Sequence, residues 1–260
     1  VVVDTTGAAE GARYSDRVKA VCEEWYPKIN EYLFGTEHPL PYRQVRIVME
    51  PGHGKAVRRK GLDGVESAYT WRGVIHLYPQ LMQQNNTDVE ALTVHELTHV
   101  VQDNYTLWLN CTGIQAVTCF FKKQFGDRDR GMRWASEAIN DYVAFRLFRR
   151  RLEPVLRLDG DGRLRGYNDG VPLLRDLEKM NLPIGNKGYE ISYAVAASFL
   201  LWLEETRDPE IIRKLNRAFS EHRCSRKLFQ QWCGDTVDRR WLEFLAASTG
   251  RAHGGSQAAR

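Results

Sequence analysis

The residues with the clearest chemistry stand together at Val94-His95-Glu96-Leu97-Thr98-His99-Val100-Val101-Gln102. Two histidines four residues apart lie on one helical face, so their imidazoles can bind one Zn²⁺ together. Glu96 follows the first histidine and can reach a water on that metal, as a general base must. Such a motif is short, and its surroundings decide its weight. Val89, Leu92, Val100 and Val101 give the segment an apolar face, which places the histidines on a largely buried helix. Buried imidazoles need partners, and a metal is one.

A catalytic zinc takes three protein ligands and keeps a fourth position open. The extended pattern with Gly and His three and six residues after the second histidine is excluded, because those positions hold Gln102 and Tyr105. The other common source is a carboxylate on a later helix. Trp134-Ala135-Ser136-Glu137-Ala138-Ile139-Asn140-Asp141-Tyr142-Val143 supplies one. Glu137 and Asp141 are four apart, hence on one face. Glu137 is the expected third ligand. Asp141 is expected to accept a hydrogen bond from the free ring nitrogen of a ligand histidine, which fixes its tautomer and orientation. Solvated carboxylates would be the alternative, but apolar Trp134, Ala138, Ile139 and Val143 surround them. His95, Glu96 and His99 form the HExxH pattern of metallopeptidases, to which Glu137 would add the third ligand.

The elements that must position these groups follow from periodicity. Val1–Val3 reads as a first strand. A helix is expected from a Ser15 cap to about Phe34, with a core stripe of Val18, Val21, Trp25, Ile29 and Leu33 and a possible kink at Pro27. Val45–Met49, Glu66–Thr70 and Val74–Tyr78 read as strands. The stretch from Gly52 to Gly64, rich in Gly, Lys and Arg, reads as a mobile loop without a phosphate-binding pattern. Thr87 and Glu90 make a capping box, so the histidine helix is expected to begin near Asp88. Gly131 precedes the Glu137 helix, expected to reach Leu152. Asp159-Gly160-Asp161-Gly162 reads as a turn, since no Glu stands where a calcium loop needs one. Helices are expected at Leu173–Met180, Glu190–Glu205, Pro209–Phe219, Ser225–Trp232 and Val237–Ala247, with Asp208-Pro209 as a cap and first-position proline. A small mixed sheet with helices, then a mostly helical half, is an α+β pattern. One domain is expected, with lobes at 1–130 and 131–249, a flexible tail over 250–260, and a cleft to which the first lobe brings His95 and His99 and the second Glu137.

At 260 residues the chain is long enough for a sizeable core. Its hydrophobic fraction of 43% and charged fraction of 27% are those of an ordinary globular protein, and its formal net charge of +4 is only mildly basic. The basic residues are scattered apart from Arg149-Arg150-Arg151, which suits a helix C-terminus. No basic groove is interleaved with aromatics, so nucleic acid is not an expected partner. No apolar run is long enough to span a membrane. From Val1 onward there is no charged leader with an apolar core, so any signal peptide is expected to have been removed or never present.

Five cysteines are present, Cys22, Cys111, Cys119, Cys224 and Cys233. Local pairs Cys111/Cys119 and Cys224/Cys233 with Cys22 left over are one expectation, and five thiols the other. Sequons at Asn85-Asn86-Thr87, Asn104-Tyr105-Thr106 and Asn110-Cys111-Thr112 suit a secreted chain.

His95–Gln102 followed by Trp-x-x-Glu-Ala-Ile-x-Asp-Tyr-Val resembles the plant basic secretory protein family of plant, fungal and bacterial metallopeptidases. Ser192–Leu203 and the stretches Ile211–Asn216 and Asp235–Trp241 share the resemblance, which is good from about Val65 to Leu245. It implies a zincin-like fold of the gluzincin type, secretion, and one Zn²⁺ held by His95, His99 and Glu137. It also places the substrate-binding sheet edge within Ser67, Ala68, Tyr69, Thr70 and Trp71, where an extended peptide would add as a further strand. Tyr193 matches the family's tyrosine and is implied to stabilise the oxyanion beside the metal, with Tyr189 one turn earlier as second candidate. The chain departs from the family in one respect. Thirty-seven residues separate His99 from Glu137, more than is usual; the insertion carries Cys111 and Cys119, and makes Asp103 the second candidate for the third ligand.

The expected reaction is peptide hydrolysis. Zinc activates a water, Glu96 takes its proton and returns it to the leaving amine. The motif does not distinguish an endopeptidase from an aminopeptidase, and the expected partner is a peptide or protein substrate. Two other readings stand beside it: a secreted binding or defence module with an idle zinc site, and a zinc hydrolase acting on glycosylated or non-peptide substrates. The intact Glu96 argues against an idle site.

Overall fold

The computed structural model describes residues 1–59, 62–71, 73–103, 132–152, 157–158, 164–165, 188–190, 193–221 and 223–249. The chain divides into two compact units. The first comprises Val1–Asp127, Leu147–Arg149 and Asn216–Arg223. The second comprises Arg128–Arg146, Arg150–Leu215 and Cys224–Arg260.

The first unit is built on a four-stranded mixed sheet of β1 (Val2–Asp4), β2 (Arg46–Met49), β5 (Ala68–Trp71) and β6 (Val74–Leu77), in the order β1-β2-β6-β5. β1 and β6 pair with β2 in parallel, and β5 runs antiparallel to β6. Strand alternation sends Ile47, Met49, Ile75, Leu77 and Ala68 into the core. Gly73 turns the chain from β5 into β6 at φ +74°, and a Cβ there would meet the Tyr42 ring at 2.5 Å. Glycine is thus required both for its left-handed backbone and for the space it leaves.

The helix α1 (Ala12–Phe34) starts four residues earlier than a Ser15 cap would place it. A 3₁₀ turn at Ala9–Gly11 leads into it, and Ser15 lies inside the first turn with its hydroxyl turned back to the Gly11 carbonyl. Its stripe of Val18, Val21, Ile29 and Leu33 is buried as expected, while Trp25 is half-buried against the edge of Phe148, with ring centroids 5.2 Å apart. Within the Gly52–Gly64 stretch expected as a mobile loop, β3 (Lys55–Arg59) instead pairs antiparallel with β4 (Leu62–Glu66), which ends at the expected start of the Glu66–Thr70 strand. Short α2 (Pro79–Gln84) and the histidine helix α3 (Val89–Asp103) complete the first unit's described core.

In the second unit, α4 (Arg133–Tyr142) ends earlier than expected and passes into a π-helical turn over Val143–Phe148, whose last two residues are counted in the first unit. The N–H groups of Arg151 and Leu152 then both donate to the Phe145 carbonyl, and Arg150 adopts φ +54°, which stops the helix. Arg157–Leu158 pairs antiparallel with Leu164–Arg165 as β7 and β8, on either side of the expected Asp159–Gly162 turn, which itself lies outside the described residues. The helices α5 (Tyr193–Thr206), α6 (Ile211–Ser220), α7 (Arg226–Cys233) and α8 (Val237–Thr249) follow. α5 is apolar all round and every residue from Ala194 to Leu203 is buried, as a central helix requires. Trp134, Tyr189, Trp241 and Phe244 pack about its Phe199, which lies 5.4 Å from both Trp241 and Phe244. The expected helix at 173–180, the 104–131 insertion with Cys111 and Cys119, and the 250–260 tail fall outside the described residues.

The expected Cys224/Cys233 disulfide is corrected. Both side chains are buried thiols that are not joined to one another. Ser225 caps α7 by accepting from the Leu228 N–H, and Cys233 is the last residue of that helix. Cys224 precedes the cap and Cys233 closes the helix, so the eight residues of α7 run between the two positions. Burial pushes the Cys233 thiol up to about 12, and the Cys22 thiol likewise.

Candidate metal centre

The N-terminus of α3 is fixed by charge and a cap. The Ala91 N–H donates to Asp88 Oδ1 at 3.1 Å, so the capping residue is Asp88, one position beyond Thr87. Arg149 grips the cap, with its Nε 2.8 Å from Asp88 Oδ2 and a close Nη2 contact to Oδ1. The same guanidinium bonds Glu90 Oε2 at 2.7 Å, and Arg17 holds Glu90 Oε1 at 3.0 Å. Burial opposes the charge on Glu90, but the Arg149 and Arg17 hydrogen bonds outweigh it and hold its carboxyl below the ordinary value. Asp88 at the cap and Glu90 in the first turn also complement the helix dipole.

Val89, Val94, Leu97, Val100 and Val101 form the buried face of α3, with Leu92 half-buried beside them. Thr93 and Thr98 are buried too, and each satisfies its hydroxyl on the helix, Thr93 to the Val89 carbonyl at 2.7 Å and Thr98 to that of Val94 at 2.8 Å. This packing orients the remaining face. His95 and His99 stand one turn apart on it, their ring centroids 5.4 Å apart and their planes at 76°. Glu96 is 5% exposed. Its Oε2 lies 2.7 Å from the Thr70 hydroxyl, which is also 3.0 Å from the Glu96 carbonyl oxygen.

On α4, Trp134, Ala135, Ala138, Ile139 and Tyr142 are buried, and Tyr142 donates to Glu204 Oε2 at 2.7 Å. Glu137 is half-buried and Asp141, one turn on, is 9% exposed. One ligand-type atom from each of His95, His99 and Glu137 lies within 4.8 Å of the other two. Tetrahedral bonds of about 2.1 Å put ligand atoms roughly 3.4 Å apart, so small side-chain rotations close the group onto one ion. Two imidazole nitrogens and one carboxylate are a donor set suited to a borderline divalent metal with one position left open. The His-His-Glu group can therefore hold a metal ion.

β5 is an edge strand of its sheet, opposite β1. Ser67 precedes it and accepts from the Tyr78 N–H at 2.9 Å. Ala68 and Thr70 face α3, while Tyr69 and Trp71 take the opposite face. Tyr69 stacks flat on His76 at 4.4 Å, His76 Nδ1 lies 2.6 Å from Glu50 Oε1, and Lys55 Nζ sits 4.0 Å over the Tyr69 ring. Trp71 is 59% exposed.

The two candidate tyrosines differ sharply. Tyr193 is the first residue of α5 and is half-buried. Tyr189 is 1% exposed, and its hydroxyl donates to Asp238 Oδ1 at 2.6 Å. Burial, reinforced by the hydrogen bond to Asp238, drives its phenol strongly upward. Those are the marks of a core tyrosine with a satisfied hydroxyl. Sequence reasoning missed the part Thr70 plays at Glu96, although strand alternation from Ala68 would have turned Thr70 inward. It also missed Arg149, whose place in a basic run suggested only a helix end.

No helix among the described residues is long and apolar enough to cross a membrane. Comparison with curated proteins and with solved structures gave no match. Residues 3–244 match the profile of the basic secretory proteins, described as peptidases of plants and bacteria, and with that match over nearly the whole length the chain belongs to this family.

Proposed function

We propose that the protein is a zinc-dependent peptidase. The observation that carries this reading is the grouping of His95, His99 and Glu137 around one point, with the carboxylate of Glu96 next in sequence to the first ligand. A zinc ion held there would lower the pKa of a water and polarise the scissile carbonyl. Glu96 takes the proton of the attacking water and delivers it to the leaving amine. Asp141 orients a ligand imidazole by accepting from its outer ring nitrogen. Ser67 to Trp71 receive the extended substrate backbone along the sheet edge, in the manner of an added strand. Tyr193 donates to the oxyanion. Tyr189 is the weaker candidate for that task, because its hydroxyl already serves Asp238.

A zincin-like fold, with an N-terminal lobe over 1–130 and a helical lobe over 131–249, belongs to this proposal, as does secretion. Family membership and the sequons support secretion.

The test is hydrolysis of an unbiased peptide library by wild type beside Glu96→Gln, both loaded with zinc. Cleavage by wild type alone is the expected result, and the cleavage pattern then supplies the specificity. Metal binding by both with cleavage by neither would overturn the peptidase reading and favour a binding module or a hydrolase of non-peptide bonds.

A further inference from the structure

Glu96 carries the proton in the proposed reaction, and a glutamate has three side-chain torsions to hold. Its Oε2 is engaged by the Thr70 hydroxyl at 2.7 Å, and among the described residues no other hydrogen bond reaches its carboxylate. Thr70 comes from β5, a strand paired along Thr70↔Ile75 and Trp71↔Val74, so its backbone is fixed by the sheet. A β-branched side chain on such a strand is stiff at χ1. The hydroxyl has one proton to give and two oxygens of Glu96 within reach, Oε2 and the carbonyl at 3.0 Å. The ionised carboxylate is the stronger acceptor.

We propose that Thr70 is a positioning residue for Glu96: its hydroxyl fixes Oε2, and thereby presents Oε1 to the attacking water. The inference rests on the peptidase reading of the site. It assigns this inward-facing residue of the edge strand a second task beside the substrate backbone, that of aiming the base. The chemistry explains why the position holds threonine. Valine has the same shape without the donor, and serine keeps the donor on a freer side chain.

The experiment compares zinc-loaded Thr70→Val and Thr70→Ser with wild type and Glu96→Gln. Three quantities are read: kcat and KM on one peptide taken from the library, zinc affinity, and calorimetric affinity for a peptide hydroxamate. The hydroxamate chelates the metal and gives a proton to the base, so it reports on Glu96 without turnover. Thr70→Val is expected to lose about 10–100-fold in kcat, part of the 10²–10⁴ a general base supplies, with KM and zinc affinity within about threefold. Hydroxamate affinity should fall by a similar factor and no further than in Glu96→Gln. Thr70→Ser should recover both to within about fivefold of wild type, because the donor is restored. Wild-type kcat and hydroxamate affinity in Thr70→Val would overturn the proposal. Equal loss in valine and serine variants, together with lost zinc or a lower melting temperature, would also overturn it and leave Thr70 a structural tie between β5 and α3. If wild type binds zinc but cleaves no peptide, the peptidase reading fails on its own, and the hydroxamate series still decides whether Thr70 aims Glu96. Absence of zinc binding in wild type overturns both.

Discussion

The Tyr189 hydroxyl donates to Asp238 Oδ1 at 2.6 Å, while its ring lies 4.7 Å from Trp134 and 5.7 Å from Trp241. A phenol so placed contributes through packing and one charge-assisted bond. Tyr189→Phe is expected to cost about 0.5–1.5 kcal/mol of stability, the net worth of one hydrogen bond, since Asp238 keeps Arg226 Nη1 at 3.8 Å, and to change kcat only fewfold. Tyr193→Phe should lower kcat by about 10²–10³, the loss typical of an oxyanion donor. Denaturant unfolding and steady-state kinetics on both variants separate the two roles. A large kcat loss in Tyr189→Phe alone would reverse the assignment.

Acid should loosen the start of α3 through Glu90. Its folded pKa lies below the ordinary 4.5, because Arg149 and Arg17 hold the charged form against burial. The unfolded chain therefore takes up this proton at higher pH than the folded one. The stabilisation is fully present above about pH 4.5 and is lost as pH falls through the folded value. Glu90→Gln should show a shallower decline in unfolding midpoint over that window than wild type. Parallel curves for the two proteins would show that Glu90 contributes nothing to acid stability.

Much of this site was legible from residue types and periods. The apolar flanks of α3 and the four-residue spacings of His95/His99 and Glu137/Asp141 are local features, and a helix follows from them directly. What was not legible depended on partners far along the chain. Tyr189 meets Asp238 across 49 positions, and Arg149 meets Asp88 across 61, and no local pattern announces either pair. The Lys55–Glu66 hairpin was hidden for another reason. Its stretch mixes Gly, Lys and Arg with only a few apolar residues and shows no sustained alternation, and its strands are defined by pairing with each other. Cys224 and Cys233 are close in sequence, but α7 runs between them and both remain thiols.

The thiols give a direct chemical check. Alkylation of the protein unfolded without reductant should label Cys22, Cys224 and Cys233 alike. Alkylation of the native protein at neutral pH should be slow at Cys22 and Cys233, whose buried thiols are pushed up to about 12 and carry almost no thiolate. A Cys224–Cys233 cross-linked peptide in the mass spectrum of the unreduced digest would contradict the structure.

The central claim is that His95, His99 and Glu137 hold one metal ion, and metal titration tests it most directly. Zinc stoichiometry and affinity are measured for wild type, Glu137→Ala and Asp103→Ala. One zinc per chain in wild type is expected, with affinity lower by at least about a hundredfold in Glu137→Ala, more than outer-sphere changes usually cost, and unchanged in Asp103→Ala. Full zinc affinity in Glu137→Ala with loss in Asp103→Ala would move the third ligand to the HExxH helix, and no zinc uptake by reloaded wild type would contradict the claim altogether.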